Sequence, residues 1–213
     1  MMDKILFGNP EAGTVLVQPV DEFELKNIEN EVKYIAGEYG GDFCLVAVRV
    51  EDWNRDLSPW KAPAVFGKEE FGGEAGKTLE EILNICSDSS KTYFIGGYSL
   101  AGLFALWAAY NTSAFSGVAS ASPSVWFPGF IEYIKARDIQ VKNVYLSLGD
   151  KEDKTKNPVM ATVGDMIRET YSILSECEVN CLLEWNQGNH FKDSDIRTAK
   201  AFLWVMERKW KNI

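Results

Sequence analysis

The tightest constraint on this chain lies in eight residues, Ile95-Gly96-Gly97-Tyr98-Ser99-Leu100-Ala101-Gly102. Lys91-Thr92-Tyr93-Phe94 before them reads as a short buried strand. Leu103-Phe104-Ala105-Leu106-Trp107-Ala108-Ala109-Tyr110 after them reads as an apolar helix. A strand that passes into a helix over so few residues must turn sharply, so the side chains flanking the apex must be small. Gly97 stands two before Ser99 and Ala101 two after. Gly-x-Ser-x-Gly in this setting is a nucleophile elbow: it lifts the hydroxyl clear of the sheet and aims the first N–H groups of the helix at the same spot. Ala101 stands where Gly is usual, and a methyl group is small enough for the turn. A Gly-rich strand–helix turn with an incidental Ser has the same short pattern, so the rest of the chain must decide.

Strands and helices alternate on both sides of that stretch. Residues 14–19 read as a strand, and Asp21 as the N-cap of a helix with Leu25, Ile28, Val32 and Ile35 on one face. Residues 43–50 form a continuous apolar run, the mark of a parallel strand covered on both faces. Thr78-x-x-Glu81 reads as a capping box. Strands follow at 116–121, 144–148 and 179–185, with helices around 128–137 and from Asn157-Pro158 onward. The final helix carries Ile196, Ala199, Phe202, Leu203, Met206 and Trp210 inward. With no repeat and no linker, the expectation is a single domain over residues 1–213, a compact three-layer α/β/α sandwich whose mostly parallel sheet has about six strands. The long aromatic connection at 51–76 leaves the carboxyl end of a strand, the side on which open α/β sheets bind ligands. Its Trp53 and Trp60, with Trp126 and Phe127 further on, are candidate pocket walls; each also suits an ordinary core position.

A serine nucleophile needs a base beside it and an acid that orients the base. His190 is the only histidine in the chain, and it follows the last strand in Gly188-Asn189-His190-Phe191. Between Ser99 and His190, the strand ending at Gly149 leads into Asp150, Glu152 and Asp153. Ser, acid and His thus fall at strand ends in the order the α/β-hydrolase layout requires. Glu152, three residues after Gly149, is the expected acid, with Asp150 and Asp153 as alternatives. For the oxyanion hole, the N–H of Leu100 is the first candidate and the turn at Val20 and Asp21 the second.

Gly-Gly-Tyr-Ser-Leu-Ala-Gly (96–102), Ser-Ala-Ser-Pro-Ser-Val-Trp (120–126), Gly-Asp-Lys-Glu (149–152) and Gly-Asn-His-Phe (188–191) together resemble the esterase family of α/β hydrolases that includes S-formylglutathione hydrolases, siderophore esterases and feruloyl-type esterases. The resemblance covers most of the chain from the elbow onward. Upstream, neither the two leading strands nor the Gly-rich oxyanion loop of larger members is visible. It implies an esterase with no metal and no cofactor, cleaving a small-molecule carboxylic ester or thioester through an acyl-enzyme on Ser99. An acyltransferase with the same three residues is the alternative within enzymes. A non-catalytic binding protein on the same fold is the alternative outside them. A net charge of −9 disfavours nucleic acid and anionic membranes as partners. No run approaches the roughly 20 apolar residues of a membrane span. The first residues lack the pattern of a signal peptide, and the four cysteines show neither zinc nor redox spacing, so the expected location is cytoplasmic.

Overall fold

The computed structural model describes residues 2–208 and begins with a strand that the sequence conceals. Lys4–Gly8 (β1) alternates exposed and half-buried side chains and so lacks the apolar run that marks the inner strands. It is followed by β2 (Thr14–Val20), α1 (Glu22–Leu25), α2 (Ile28–Glu38) and β3 (Cys44–Arg49). Next come α3 (Trp53–Leu57), a two-stranded ribbon of β4 (Lys61–Ala62) and β5 (Phe71–Gly72), and α4 (Ala75–Ile85). The second half contains β6 (Thr92–Tyr98), α5 (Leu100–Ala108), β7 (Gly117–Ala121) and α6 (Phe130–Lys135). It ends with β8 (Asn143–Gly149), α7 (Val163–Glu176), β9 (Asn180–Asn186) and α8 (Ser194–Glu207). Among the described residues no helix is long and apolar enough to cross a membrane. Trp210, expected on the last helix, lies outside them.

The main sheet has seven strands, not six, in the order β1-β3-β2-β6-β7-β8-β9. All neighbours are parallel except β1, which runs antiparallel along β3 with Leu6 opposite Val46. Alternate residues of one strand feed different layers. Val15 and Val17 pack towards α4 and α5, whereas Leu16 and Val20 pack towards α2 and α8. All nine residues of α5 are buried, which explains its lack of a polar face. The chain lays β3 on one side of β2 and then returns to lay β6 on the other. The carboxyl ends of β2 and β6 therefore flank the switch point, where a crevice must open.

Two local expectations change. The helix expected from Asp21 breaks into α1 and α2. Asp21 does cap, accepting from the Phe23 and Glu24 N–H groups at 2.8 and 2.9 Å, but the chain turns again at Asn27. Thr78 is no cap: α4 has already begun at Ala75, because carbonyls of Arg55 and Ser58 accept the Glu74 and Ala75 N–H groups at 2.9 and 3.1 Å. The Thr78 hydroxyl instead donates to the Asp56 carbonyl at 2.7 Å, tying α4 to α3.

One buried acid makes stability depend on pH. Glu31, on α2, is 3% exposed and accepts a hydrogen bond from Gln18 Nε2 at 3.3 Å. Burial pushes its carboxyl from 4.5 up to about 8; the Gln18 contact opposes the rise and the charge of Asp195 adds to it. Between those two values the folded chain holds a proton that the unfolded chain has released. Stability should therefore fall as pH rises from about 4.5 to about 8, by at most about 1.4 kcal/mol per pH unit. Glu31→Gln should flatten this slope, so that thermal melts of variant and wild type diverge with rising pH. Parallel curves across that window would refute the assignment.

Candidate active site

Ser99 joins β6 to α5 at φ 57° and ψ −118°, a conformation that residues with a Cβ rarely adopt. Three hydrogen bonds hold it there. Its N–H donates to Ala121 at 3.1 Å, and its carbonyl accepts from Leu103 and Ser124, each at 3.1 Å. A Cβ at Gly97 would meet the Ala101 methyl at 2.6 Å, so glycine at 97 is what permits alanine at 101. Leu100 opens α5, and its N–H, having no intrahelical acceptor, points from the positive end of the helix.

The turn after β9 brings His190 to this apex, with Nε2 3.0 Å from Ser99 Oγ. Its Nδ1 lies 2.6 Å from Glu152 Oε2. A carboxylate at Nδ1 fixes the proton on that nitrogen, which leaves Nε2 as the acceptor facing the serine hydroxyl. The other two acids of the β8 turn do different work. Asp150 Oδ1 accepts from the Gly188 N–H at 2.8 Å, and Asp153 Oδ2 faces Lys154. The structure thus brings Ser99, Glu152 and His190 into one hydrogen-bonded row.

No family model matches the sequence, and no curated protein matches it. Solved structures do match the shape. An IroE-like serine hydrolase from Shewanella oneidensis superposes with a TM-score of 0.73 at 15% identity, over 96% of this chain and 75% of that one. The siderophore hydrolase EstA from Aspergillus nidulans gives 0.67 at 16%, covering 92% and 84%. A carboxylesterase from Bacillus cereus gives 0.63 at 15%, covering 97% and 94%. The fold is the α/β-hydrolase fold.

Within this α/β-hydrolase fold the Glu152 carboxyl sits in a buried polar network that sequence reading missed. Oε1 accepts from Ser122 Oγ at 2.8 Å, the Gly149 N–H at 2.6 Å and Arg197 Nη1 at 2.9 Å. Arg197 projects from α8 with its side chain 2% exposed. It also donates to Tyr98 Oη at 3.0 Å and to the Asn189 carbonyl at 3.2 Å. Tyr98 donates in turn to the His190 carbonyl at 2.7 Å. Burial, then the Glu152 charge, pushes the Tyr98 phenol up to about 12, so it keeps the proton it donates. Arg197 and Tyr98 therefore grip the backbone on which His190 rides while Arg197 neutralises Glu152. Removing one member of a buried ion pair leaves the other uncompensated. Arg197→Met should cost about 3–5 kcal/mol in urea unfolding, and a loss below about 1 kcal/mol would contradict this reading.

A cavity of ≈140 Å³ touches Ser99 and His190, and Asp21, Phe23, Trp53 and Phe191 help to wall it. Trp53 is thus where a pocket wall is expected. Trp60, Trp126 and Phe127 do not line this cavity. Trp60 donates to the Pro128 carbonyl at 2.9 Å, and its ring meets Phe127 at 5.5 Å and Tyr133 at 5.2 Å. Phe71 packs against both Trp126 and Phe127. Burying these rings together anchors the β4–β5 ribbon. Val20, at the end of β2, is fully buried, and it is the next residue, Asp21, that reaches the cavity. Phe23 and Phe191, 60% and 83% exposed, supply walls that sequence reading did not assign. A larger cleft of ≈920 Å³ lies on the far side of Asp21 and Trp53, without contact to Ser99.

Proposed function

We propose that the protein is a serine esterase that hydrolyses small carboxylic esters through an acyl-enzyme on Ser99. The observation that carries this reading is the row from Glu152 through His190 to Ser99 at 2.6 and 3.0 Å, placed at the head of a helix. His190 Nε2 takes the Ser99 proton as Oγ attacks the ester carbonyl. The imidazolium that forms is stabilised by Glu152, then gives its proton to the leaving alcohol. Water, activated by the same nitrogen, releases the acid. The developing oxyanion is held by the Leu100 N–H and by a second N–H from the Val20–Asp21 turn. Thioesters are open to the same chemistry. The named activities of the structural neighbours, an ester hydrolase among them, agree with this class of reaction. All four cysteines are free, which suits a reducing compartment such as the cytoplasm.

The test is covalent capture. A fluorophosphonate probe reacts only with a serine whose proton is withdrawn by a neighbouring base. Peptide mapping should find the adduct on Ser99 and on no other serine. An unlabelled protein, or an adduct elsewhere, would reject the reading.

A further inference from the structure

Behind the cavity at Ser99 lies a smaller one, and Glu24, Tyr98 and Ser194 wall both. Its volume is ≈10 Å³, room for a single water-sized group. Its lining carries three oxygens that are buried and accept no hydrogen bond from the protein: Gln18 Oε1, Glu24 Oε2 and Glu31 Oε1. Gln18 and Glu31 are themselves 2% and 3% exposed. A buried acceptor lacking a donor costs about 1–3 kcal/mol, so three around one small space require explanation. Among the described residues Glu24 and Glu31 form no ion pair, and Asp21 and Asp195 add like charge beside them.

We propose that this pocket receives the primary ammonium group of an ester substrate whose body lies among Phe23, Trp53 and Phe191. The proposal rests on the reading of Ser99 as nucleophile, which makes the adjoining cavity a substrate site. An ammonium group has about the size of water and three N–H donors. Three donors meet three waiting oxygens, one from the β2 side chain and two from carboxyls of α1 and α2. Burial pushes the Glu31 carboxyl to about 8 and the Glu24 carboxyl well above its usual range, which favours their protonated forms in the empty pocket; a cation set between them favours the carboxylates, so the ammonium group binds as protons leave those oxygens. Phe23 and Trp53, in the wall of the adjoining cavity, supply aromatic surface for the chain that carries the group. A quaternary ammonium has the charge but no donor, and it is too large to enter.

Benzylammonium, benzyl alcohol and benzyltrimethylammonium share one ring and differ at the end group, so calorimetric titration of each into the full chain reads the pocket directly. Benzylammonium should bind at least about tenfold more tightly than either of the others. Glu24→Gln combined with Glu31→Gln should reduce that preference to about twofold or less; either single variant serves if the pair unfolds. Equal binding of amine and alcohol would mean that water fills the pocket, and would overturn the proposal. So would equal binding of the quaternary ion, which would reveal only a diffuse acidic field. Bound benzylammonium should also slow fluorophosphonate labelling of Ser99, and tight binding without protection would overturn its assignment to the substrate. Failure of the probe to label Ser99 at all would reject the esterase reading, while the three titrations would still decide the pocket.

Discussion

Ser99→Ala should fold like the wild type and hydrolyse aryl esters at least about 10⁴-fold more slowly. The two halves of this expectation have separate causes. Serine and alanine share a Cβ, so the positive φ at 99 costs the variant no more than the wild type. The three backbone hydrogen bonds that hold the apex do not involve the side chain. Thermal melts should therefore coincide closely. Turnover falls because His190 Nε2 loses the hydroxyl that lies 3.0 Å from it. Ser124 Oγ lies 3.4 Å from Ser99 Oγ, but its backbone N–H is tied to the Ser99 carbonyl at 3.1 Å, and the imidazole makes its hydrogen bonds to Ser99 and Glu152 instead. It is no substitute nucleophile. A variant that keeps more than about a tenth of wild-type turnover would remove Ser99 from the chemistry.

What could be read from sequence followed from strong local patterns. The elbow imposes size limits at 97 and 101, and a unique histidine after the last strand has few places to go. Apolar runs identified the inner strands because parallel strands are buried on both faces. β1 escaped for the converse reason: an edge strand alternates and starts with a lysine. Thr78 misled because side-chain and backbone groups can satisfy the same N–H donors at a helix start. Here distant carbonyls of Arg55 and Ser58 did so, one turn earlier than the sequence motif. For Trp60 and Trp126 composition cannot choose, since an aromatic residue near a strand's carboxyl end serves equally as wall or anchor. Only Trp53 reaches the cavity at Ser99.

Arg197 is the site residue that sequence patterns hide best. Arginine on an amphipathic helix ordinarily marks a solvated face, yet Arg197, Ala201 and Val205 fall four residues apart on one buried stripe. A charge at the head of an apolar stripe is the available signal for a buried acid beside it, here Glu152 at 2.9 Å. Its partner Ser122, at φ 42°, is likewise a strained polar residue just past a strand end. No sequence motif isolates it from Ser120 near the end of β7 or Ser124 in the loop beyond.

The acid of the row gives the second large effect. Glu152→Gln should lower turnover by about 10³- to 10⁴-fold, while Asp150→Asn and Asp153→Asn each stay within roughly tenfold of wild type. Glu152 is distinguished by what surrounds it. Its Oε2 meets His190 Nδ1 at 2.6 Å, and three donors converge on Oε1. Those donors hold the carboxyl group in one orientation, and a glutamine there cannot present acceptors on both sides. Whichever way the amide turns, its NH₂ faces either the donors on the Oε1 side or the imidazole. In the second case Nδ1 must accept, the proton moves to Nε2, and His190 can no longer take the proton of Ser99. Asp150 is not inert, since its Oδ1 secures the Gly188 N–H in the turn that carries His190, but asparagine keeps that acceptor. Asp153 turns Oδ2 to Lys154, with its side chain 40% exposed and His190 bound to Glu152 instead, so the Asp153 charge is largely screened from the row. Assaying all three variants side by side, with fold checked by circular dichroism, separates the roles. If an aspartate variant is the crippled one, the acid has been misassigned. If none is, His190 acts without a carboxylate from this turn, and the 2.6 Å contact has only a structural purpose.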